Sequence, residues 1–301
     1  MTSIAVLGPG GVGGLLAATL ARTGEDVVVL ARESTAELIA RAGIEVQSVR
    51  LGHFVARPRA SARLRQRVDV LLVATKATGL EAALDRIEAP PGLVVPLLNG
   101  LDHVAALRER FENVVAATIR VESDRPEPAR IVQSSPFLRV DLATDDPALL
   151  AAVGRVSETL GDAGIPARIG AGEAQVLWSK LVRLNALACT TSATARSIGF
   201  IRTDPAWRAA LKSCLEEAAA VAVAEGAEID PAQGLAELDQ AHAELGSSMQ
   251  RDIAAGREPE LDAIAGAVLR AADRHGLRCE TIARLSAQIA GRAGMPAPSR
   301  H

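Results

Sequence analysis

A short apolar run, residues 4–7, ends in Gly8-Pro9-Gly10-Gly11-Val12-Gly13-Gly14, and an apolar helical stretch, 15–22, follows until Gly24 stops it. Strand, glycine-rich turn and helix in that order place Gly8, Gly10 and Gly13 in the G-x-G-x-x-G dinucleotide fingerprint. Gly8 permits the tight turn, Gly10 lets a pyrophosphate approach the backbone, and Gly13 lets helix and strand pack closely. The phosphates would meet the N-terminal N–H groups of the helix, those of Gly11 and Val12 among them, at the positive end of its dipole.

The runs 27–30, 68–74 and 93–98 are again purely apolar, as expected of strands buried on both faces of a parallel sheet. Residues 44–55 and 114–140 read as shorter or irregular strands, 146–160 as a helix and 165–169 as a last short strand. After Gly170-Ala171-Gly172 helical periodicity takes over and β-branched runs become rare. The expected fold class is therefore α/β: a Rossmann dinucleotide-binding domain over 1–170, followed by an all-α domain over 171–301. A chain of 301 residues is long for one core, which suits two domains.

Cofactor choice turns on the end of the second strand, where an acidic residue would hold the ribose 2′-OH of NAD. Here Ala31 is followed by Arg32, and only then by Glu33. The planar fork of Arg32 suits a 2′-phosphate, so NADPH/NADP+ is the expected cofactor and Glu33 the competitor that would favour NAD.

Other classes are excluded by composition. A net charge of −3 with scattered Lys and Arg does not make the basic face of a nucleic-acid binder. Cys189, Cys214 and Cys279 form no CxxC pair and fit a reducing compartment, and the five histidines have no metal-ligand spacing. No apolar stretch approaches the ~18 residues of a membrane span, and Met1-Thr2-Ser3 leads directly into a strand, so a cytoplasmic protein is expected.

Four further features carry the chemistry. Asn99-Gly100 follows a predicted strand, and Trp178-Ser179-Lys180 lies early in the first helix of the second domain. Ser247-Ser248-Met249 opens another helix, with Gln250 completing an S-x-x-Q capping box on Ser247, and Glu260 follows Ser248 by twelve residues. Reducing a ketone by hydride leaves an alkoxide, which a nearby ammonium both stabilises and protonates. Each residue also has a plain structural reading. Lys180 can snorkel beside Leu177, Leu181, Leu184 and Ala188, Glu260 can complement a helix dipole after Pro259, and Asn99-Gly100 can be a turn.

Together with the N-terminal glycines, these motifs resemble the ketopantoate reductase (2-dehydropantoate 2-reductase) family over essentially the whole chain. The stretch Ser247-Ser248-Met249-Gln250-Arg251-Asp252-Ile253 through Glu260 to Gly266 is the most specific match. The resemblance implies that Lys180 is the general acid and that Glu260 hydrogen-bonds the reacting oxygen or orients the substrate hydroxyl and Lys180. Ser248 and Asn99 would hold the substrate carboxylate and nearby backbone, and Lys76, like Asn99, would lie near the cofactor. The implied partner is a small 2-oxo acid, with no nucleic acid and no membrane, and a homodimer is an allowed assembly.

One departure bears on the substrate. The family places asparagines four, eight and eighteen residues after the lysine, where this chain has Leu184, Ala188 and Ile198. Asn185 is one residue late and, at ~100° per residue, points roughly 140° from Lys180. A more apolar wall is expected, and with it a weaker selection for substrate hydroxyls.

Overall fold

The computed structural model describes residues 1–299, which divide into two compact units, Met1–Leu98 with His103–Val176, and Asn99–Asp102 with the chain from Leu177. The first unit opens with β1 (Ser3–Leu7), α1 (Gly11–Arg22), β2 (Asp26–Leu30) and α2 (Glu33–Ala42). β3 (Ile44–Ser48), β4 (Gly52–Ala56), β5 (Arg59–Ser61), β6 (Val70–Val73), α3 (Leu80–Leu84) and β7 (Leu93–Pro96) follow. Then come α4 (Asp102–Arg108), β8 (Ala116–Glu127), β9 (Arg130–Ala143), α5 (Leu150–Asp162) and β10 (Ala167–Ile169).

One sheet has the order β5-β2-β1-β6-β7, and every pairing in it is parallel. Its strands are apolar throughout because both faces are covered. Ile4, Val6, Val27, Val29 and Leu72 enter one core, and Ala5, Leu7, Val28, Leu30, Leu71 and Val73 the other. Each fully buried Val or Leu contributes about 1.5–3 kcal/mol relative to exposure. The chain leaves β1 towards β2 on one side and returns to β6 on the other. The carboxyl ends of β1 and β6 therefore frame the topological switch point, where open α/β sheets bind ligands.

Residues 44–55 and 114–140 resolve into more order than the sequence suggests. β3 and β4 pair antiparallel, β8 and β9 form a long hairpin, and a second sheet runs β10-β9-β3-β4. α1 begins at Gly11, four residues before the apolar stretch that announces it. Its glycines are there for space: a Cβ on Gly13 would lie 2.1 Å from the Gly8 carbonyl oxygen, and one on Gly14 2.5 Å from Ile131 Cδ1.

The helical unit is built from α6 (Glu173–Thr194), α7 (Ile198–Thr203), α8 (Pro205–Ala224), α9 (Pro231–Gln240), α10 (Ser248–Ala254), α11 (Ala267–Arg274) and α12 (Glu280–Ala293). A π-helical turn, Asp262–Gly266, runs directly into α11. Asp204 caps α8 by accepting from the Ala206 and Trp207 amides, with Pro205 at the first helical position. Leu211, Cys214, Leu215, Ala218 and Ala222 make the buried stripe of α8. The division of α6 falls after Val176, six residues past the boundary at 170. The first turn belongs to the Rossmann unit because Glu173 pairs with Arg108 at 2.6 Å and Val176 packs over Gly170. Among the described residues no helix is long and apolar enough to cross a membrane, and no His/Cys/Asp/Glu group is arranged to hold a metal.

Candidate active site

Gly8 has φ +92°, a backbone region L side chains rarely adopt, and turns the chain out of β1 while its amide donates to the Leu30 carbonyl at 3.1 Å. Gly10 is the N-cap of α1, makes no side-chain cap, and a Cβ there would meet nothing within 4 Å. The first amides of α1, including those of Gly11 and Val12, thus open onto free space beside Gly10, as a pyrophosphate cradle requires. Gly11 serves a second purpose that the fingerprint hides. Ser123 of β8 crosses so closely that a Cβ on Gly11 would lie 2.2 Å from its carbonyl oxygen, and Ser123 Oγ donates to the Gly11 carbonyl at 2.8 Å. Thr75, after β6, touches the same turn, and its buried Oγ1 has no partner. Lys76 is exposed at the next position. The cradle, the open Gly10 and the orphaned hydroxyl fit a dinucleotide.

Arg32 is exposed at the N-cap of α2, two residues past the end of β2. Glu33, the competitor, is occupied: Arg86 Nη1 stands 3.5 Å from its Oε1, and the same nitrogen donates to the Ala31 and Ala62 carbonyls. Its own backbone amide and then the Arg86 guanidinium hold the Glu33 carboxyl below its usual range. Arg86 is the residue missed by the sequence reading, because no local pattern joins it to Glu33.

In the helical unit the structure brings Lys180, Asn99 and Glu260 together. Lys180 Nζ donates to Asn99 Oδ1 at 2.8 Å, and Asn99 Nδ2 donates to Glu260 Oε2 at 3.0 Å. The Asn99 amide thereby joins residues 81 and 161 positions apart in sequence. Glu260 is nearly buried, and its backbone carbonyl accepts from the Ile264 amide at the entrance to the π turn. Its carboxylate faces Asn99, which decides against a purely dipole-complementing role. Gly100 explains how the asparagine is delivered: with φ +89° it lies so close to the π turn that a Cβ would come 2.0 Å from the Ala263 carbonyl oxygen. Asn99-Gly100 is a turn, and that turn docks the amide. π turns frequently mark functional sites.

Ser247 caps α10, its Oγ accepting from the Gln250 amide at 3.0 Å, and Thr191 Oγ1 donates to the same oxygen at 2.9 Å. Ser248 is consequently held exposed at the first position of α10. Leu184 is half-buried on α6, Ala188 is fully buried, and Ile198 is fully buried at the start of α7 with its amide on the Leu245 carbonyl. None of the three is hydrogen-bonded through its side chain to the Lys180 group. α6 is α-helical without interruption, so no bulge turns Asn185 towards Lys180. Asn185 is fully buried, its Oδ1 3.5 Å from Cys189 Sγ and its Nδ2 without a partner. A cavity of about 170 Å³ lined by Leu269, Ala272, Leu277 and Cys279 lies elsewhere in the unit and holds none of the candidate residues.

One signal for Lys180 was present in the composition. Of the 33 basic Lys and Arg residues only Lys76, Lys180 and Lys212 are lysines. An arginine with pKa above ~12 cannot give up a proton near neutrality, so a proton donor drawn from the basic Lys and Arg residues of this chain has to be one of three.

The chain matches two family models, "Ketopantoate reductase PanE/ApbA" over residues 4–142 and "Ketopantoate reductase PanE/ApbA C terminal" over residues 174–293. It is 31% identical over 290 residues to a 2-dehydropantoate 2-reductase of Caulobacter vibrioides, covering 92% of this chain and 94% of that protein. The crystal structure of a 2-dehydropantoate 2-reductase from Geobacter metallireducens superposes with TM-score 0.88 at 24% identity, covering 96% and 99% of the two chains. D-mandelate dehydrogenase with NADH and anilino(oxo)acetate shares the fold with TM-score 0.88 at 19% identity, covering 97% and 98%.

Proposed function

The chain belongs to the ketopantoate reductase family of oxidoreductases, and on that footing we propose that it uses NADPH to reduce a 2-oxo acid to the 2-hydroxy acid. The observation that carries this reading is the continuous hydrogen-bond chain from Lys180 through Asn99 to Glu260. Cofactor binding alone needs neither Lys180 nor Glu260. Gly8, Gly10, Gly11, Val12 and Gly13 would hold the pyrophosphate, and Arg32 the 2′-phosphate, with Lys76 and Asn99 nearby. Occupation of Glu33 by Arg86 supports the choice of NADPH, because an engaged carboxylate is less available to a ribose 2′-OH. When bound, the cofactor supplies the hydride.

The remaining work falls to the chain's own residues. The Lys180 ammonium would stand at the substrate carbonyl oxygen, stabilise the charge that develops there, and release its proton to that oxygen. Asn99 can accept from Lys180 with one end of its amide while donating to Glu260 with the other, so it fixes the ammonium without neutralising it. Glu260 would hydrogen-bond the reacting group or a substrate hydroxyl, and Ser248, beside the first amides of α10, would take the carboxylate.

Ketopantoate is the substrate that the family relationship favours. A more apolar 2-oxo acid is the second reading, favoured by Leu184, Ala188 and Ile198 in place of the family's asparagines. The uninterrupted α6, which keeps Asn185 away from Lys180, supports it. A shared fold does not separate the two. NADPH consumption with ketopantoate and with branched apolar 2-oxo acids, compared between wild type and Leu184→Asn with Ala188→Asn, decides between them. If the wall is apolar, the branched acids rival ketopantoate in kcat/KM and the double change shifts preference towards ketopantoate. A hydroxyl left unsatisfied costs about 1–3 kcal/mol. Preference of wild type for ketopantoate by about a hundredfold, opposite in sign to that cost, rules out the apolar reading.

A further inference from the structure

Two short stretches of the helical unit carry Asn99 and Glu260, and one arginine touches both. Asp102 lies three residues after Asn99, and Asp262 two residues after Glu260. Arg270 Nη2 donates to Asp102 Oδ2 at 2.6 Å, and Nη1 donates to Asp262 Oδ1 at 2.8 Å. Nη2 also reaches Asp262 Oδ2 at 3.2 Å and the Asp262 backbone carbonyl at 3.1 Å, the carbonyl that accepts the wide π-turn bond from the Ala267 amide. Nη1 makes one more bond, to the Ser299 carbonyl at 3.0 Å.

The guanidinium is the enclosed member of this group. Its side chain is 17% exposed, against 51% for Asp102 and 58% for Asp262. Burial, which would lower its pKa, is outweighed by the hydrogen bonds it donates to Asp262 and Asp102, so it stays firmly charged. Room for the pair comes from Gly266, where a Cβ would lie 2.6 Å from Asp262 Oδ1 and 3.0 Å from Arg270 Nη1. Glycine is an unfavourable residue inside a helical segment, so its place here points to a space requirement.

Ion pairs this exposed add little to stability. What a planar fork bonded to two carboxylates adds is fixed geometry. We propose that Arg270 is a positioning residue that locks the Asn99 turn to the Glu260 turn and so sets the Lys180–Asn99–Glu260 chain. The proposal rests on the functional reading above.

The test pairs kinetics with a readout that needs no turnover. With three lysines in the chain, ¹³C-labelled lysine side chains give one resonance each for Lys76, Lys180 and Lys212. Arg270→Met and Arg270→Lys should each lower kcat by about 10- to 100-fold, the effect of misplacing a catalytic group by ~1 Å, with NADPH Kd changed less than about twofold. In Arg270→Met, which leaves three lysines, the Lys180 resonance should move while those of Lys76 and Lys212 stay. Asp102→Asn keeps the Arg270–Asp262 pair and, as the mildest change, should give the same pattern at several-fold. If the Arg270 variants do not fold, it decides the matter alone.

Three results overturn the proposal: wild-type kcat in folded Arg270→Met, an unmoved Lys180 resonance, or full rescue by Arg270→Lys, which would make charge rather than the fork sufficient. If instead Lys180→Ala turns over normally, the functional reading fails, while the role of Arg270 is still judged on the resonance.

Discussion

Replacing Asn99 by alanine removes the acceptor of the Lys180 ammonium and the donor to the Glu260 carboxylate in one step. A hydrogen bond to a charged group is worth about 1.5–3 kcal/mol, and expressing one of them in the transition state means a loss of roughly 10- to 150-fold in kcat/KM. Asn99→Asp has nearly the same shape and keeps the acceptor, but sets a second carboxylate against Glu260. Two like charges at that separation cannot both ionise freely, so one carboxyl keeps its proton and its pKa rises. At low pH the shared proton mimics the amide N–H and activity persists. As pH rises through that raised pKa, the pair repels and activity falls.

The assay is the pH dependence of kcat/KM for NADPH oxidation by wild type and both variants. The expected outcome is a uniformly weak Asn99→Ala enzyme and an Asn99→Asp enzyme whose activity falls at lower pH than the alkaline limb of wild type. An Asn99→Ala enzyme at the wild-type rate, or an Asn99→Asp profile superimposable on wild type, refutes the reasoning.

Gly100→Ala forces a left-handed φ on alanine and drives its Cβ towards the Ala263 carbonyl, at about 1–2 kcal/mol for the backbone and 1–3 for the overlap. It should lower Tm by roughly 5–10 °C, and an unchanged Tm would mean that the turn and the π segment do not touch. Arg32→Ala should weaken NADPH by about 1.5–3 kcal/mol while sparing NADH, read by titration of each cofactor; equal losses would return the role to Glu33. Burial pushes the Cys189 thiol up to about 12 from an ordinary 9.0, so Cys189 should not react with a thiol reagent until the protein unfolds. The sign for stability follows: Cys189's contribution is complete below pH 9 and fades as pH rises towards 12, because the unfolded thiol ionises first, at up to ~1.4 kcal/mol per pH unit. The chain has no tyrosine to mask this, but burial raises the Cys214 thiol in the same direction, so Cys189→Ala should remove part of the fall in Tm between pH 9 and 10.

Gly8, Gly10 and Gly13 were legible because their constraints are local. A turn, an approach and a packing contact lie within six residues: Gly8 has the left-handed φ of the turn, Gly13 packs on the Gly8 carbonyl, and Gly10 faces open space. Lys180, Asn99 and Glu260 were legible as residue types and motifs, but their mutual contacts span 81 and 161 positions and leave no periodic trace. Arg270 was not legible at all. Its partner Asp102 is 168 residues away, and in the sequence Arg270 is one more arginine among thirty. The second sheet was blurred for a different reason: buried positions of β9 carry the polar Gln133 and Ser135, while Val55 of β4 and Phe137 of β9 are exposed, so the apolar alternation is broken. The early start of α1 was hidden by glycines that disfavour helix locally and are required by what packs on them.

In the proposed reaction Lys180 protonates the carbonyl oxygen of a 2-oxo acid that takes hydride from NADPH, whose pyrophosphate the glycine-rich turn would hold. The most direct test is single-turnover NADPH oxidation by wild type and Lys180→Ala, with ketopantoate and branched 2-oxo acids as substrates and NADPH affinity measured in parallel. The account predicts saturable turnover by wild type with at least one of these acids. In Lys180→Ala it predicts a rate lower by about 10²–10⁴-fold at nearly unchanged NADPH affinity. Turnover of Lys180→Ala at the wild-type rate, or no turnover of any 2-oxo acid by wild type, would contradict it.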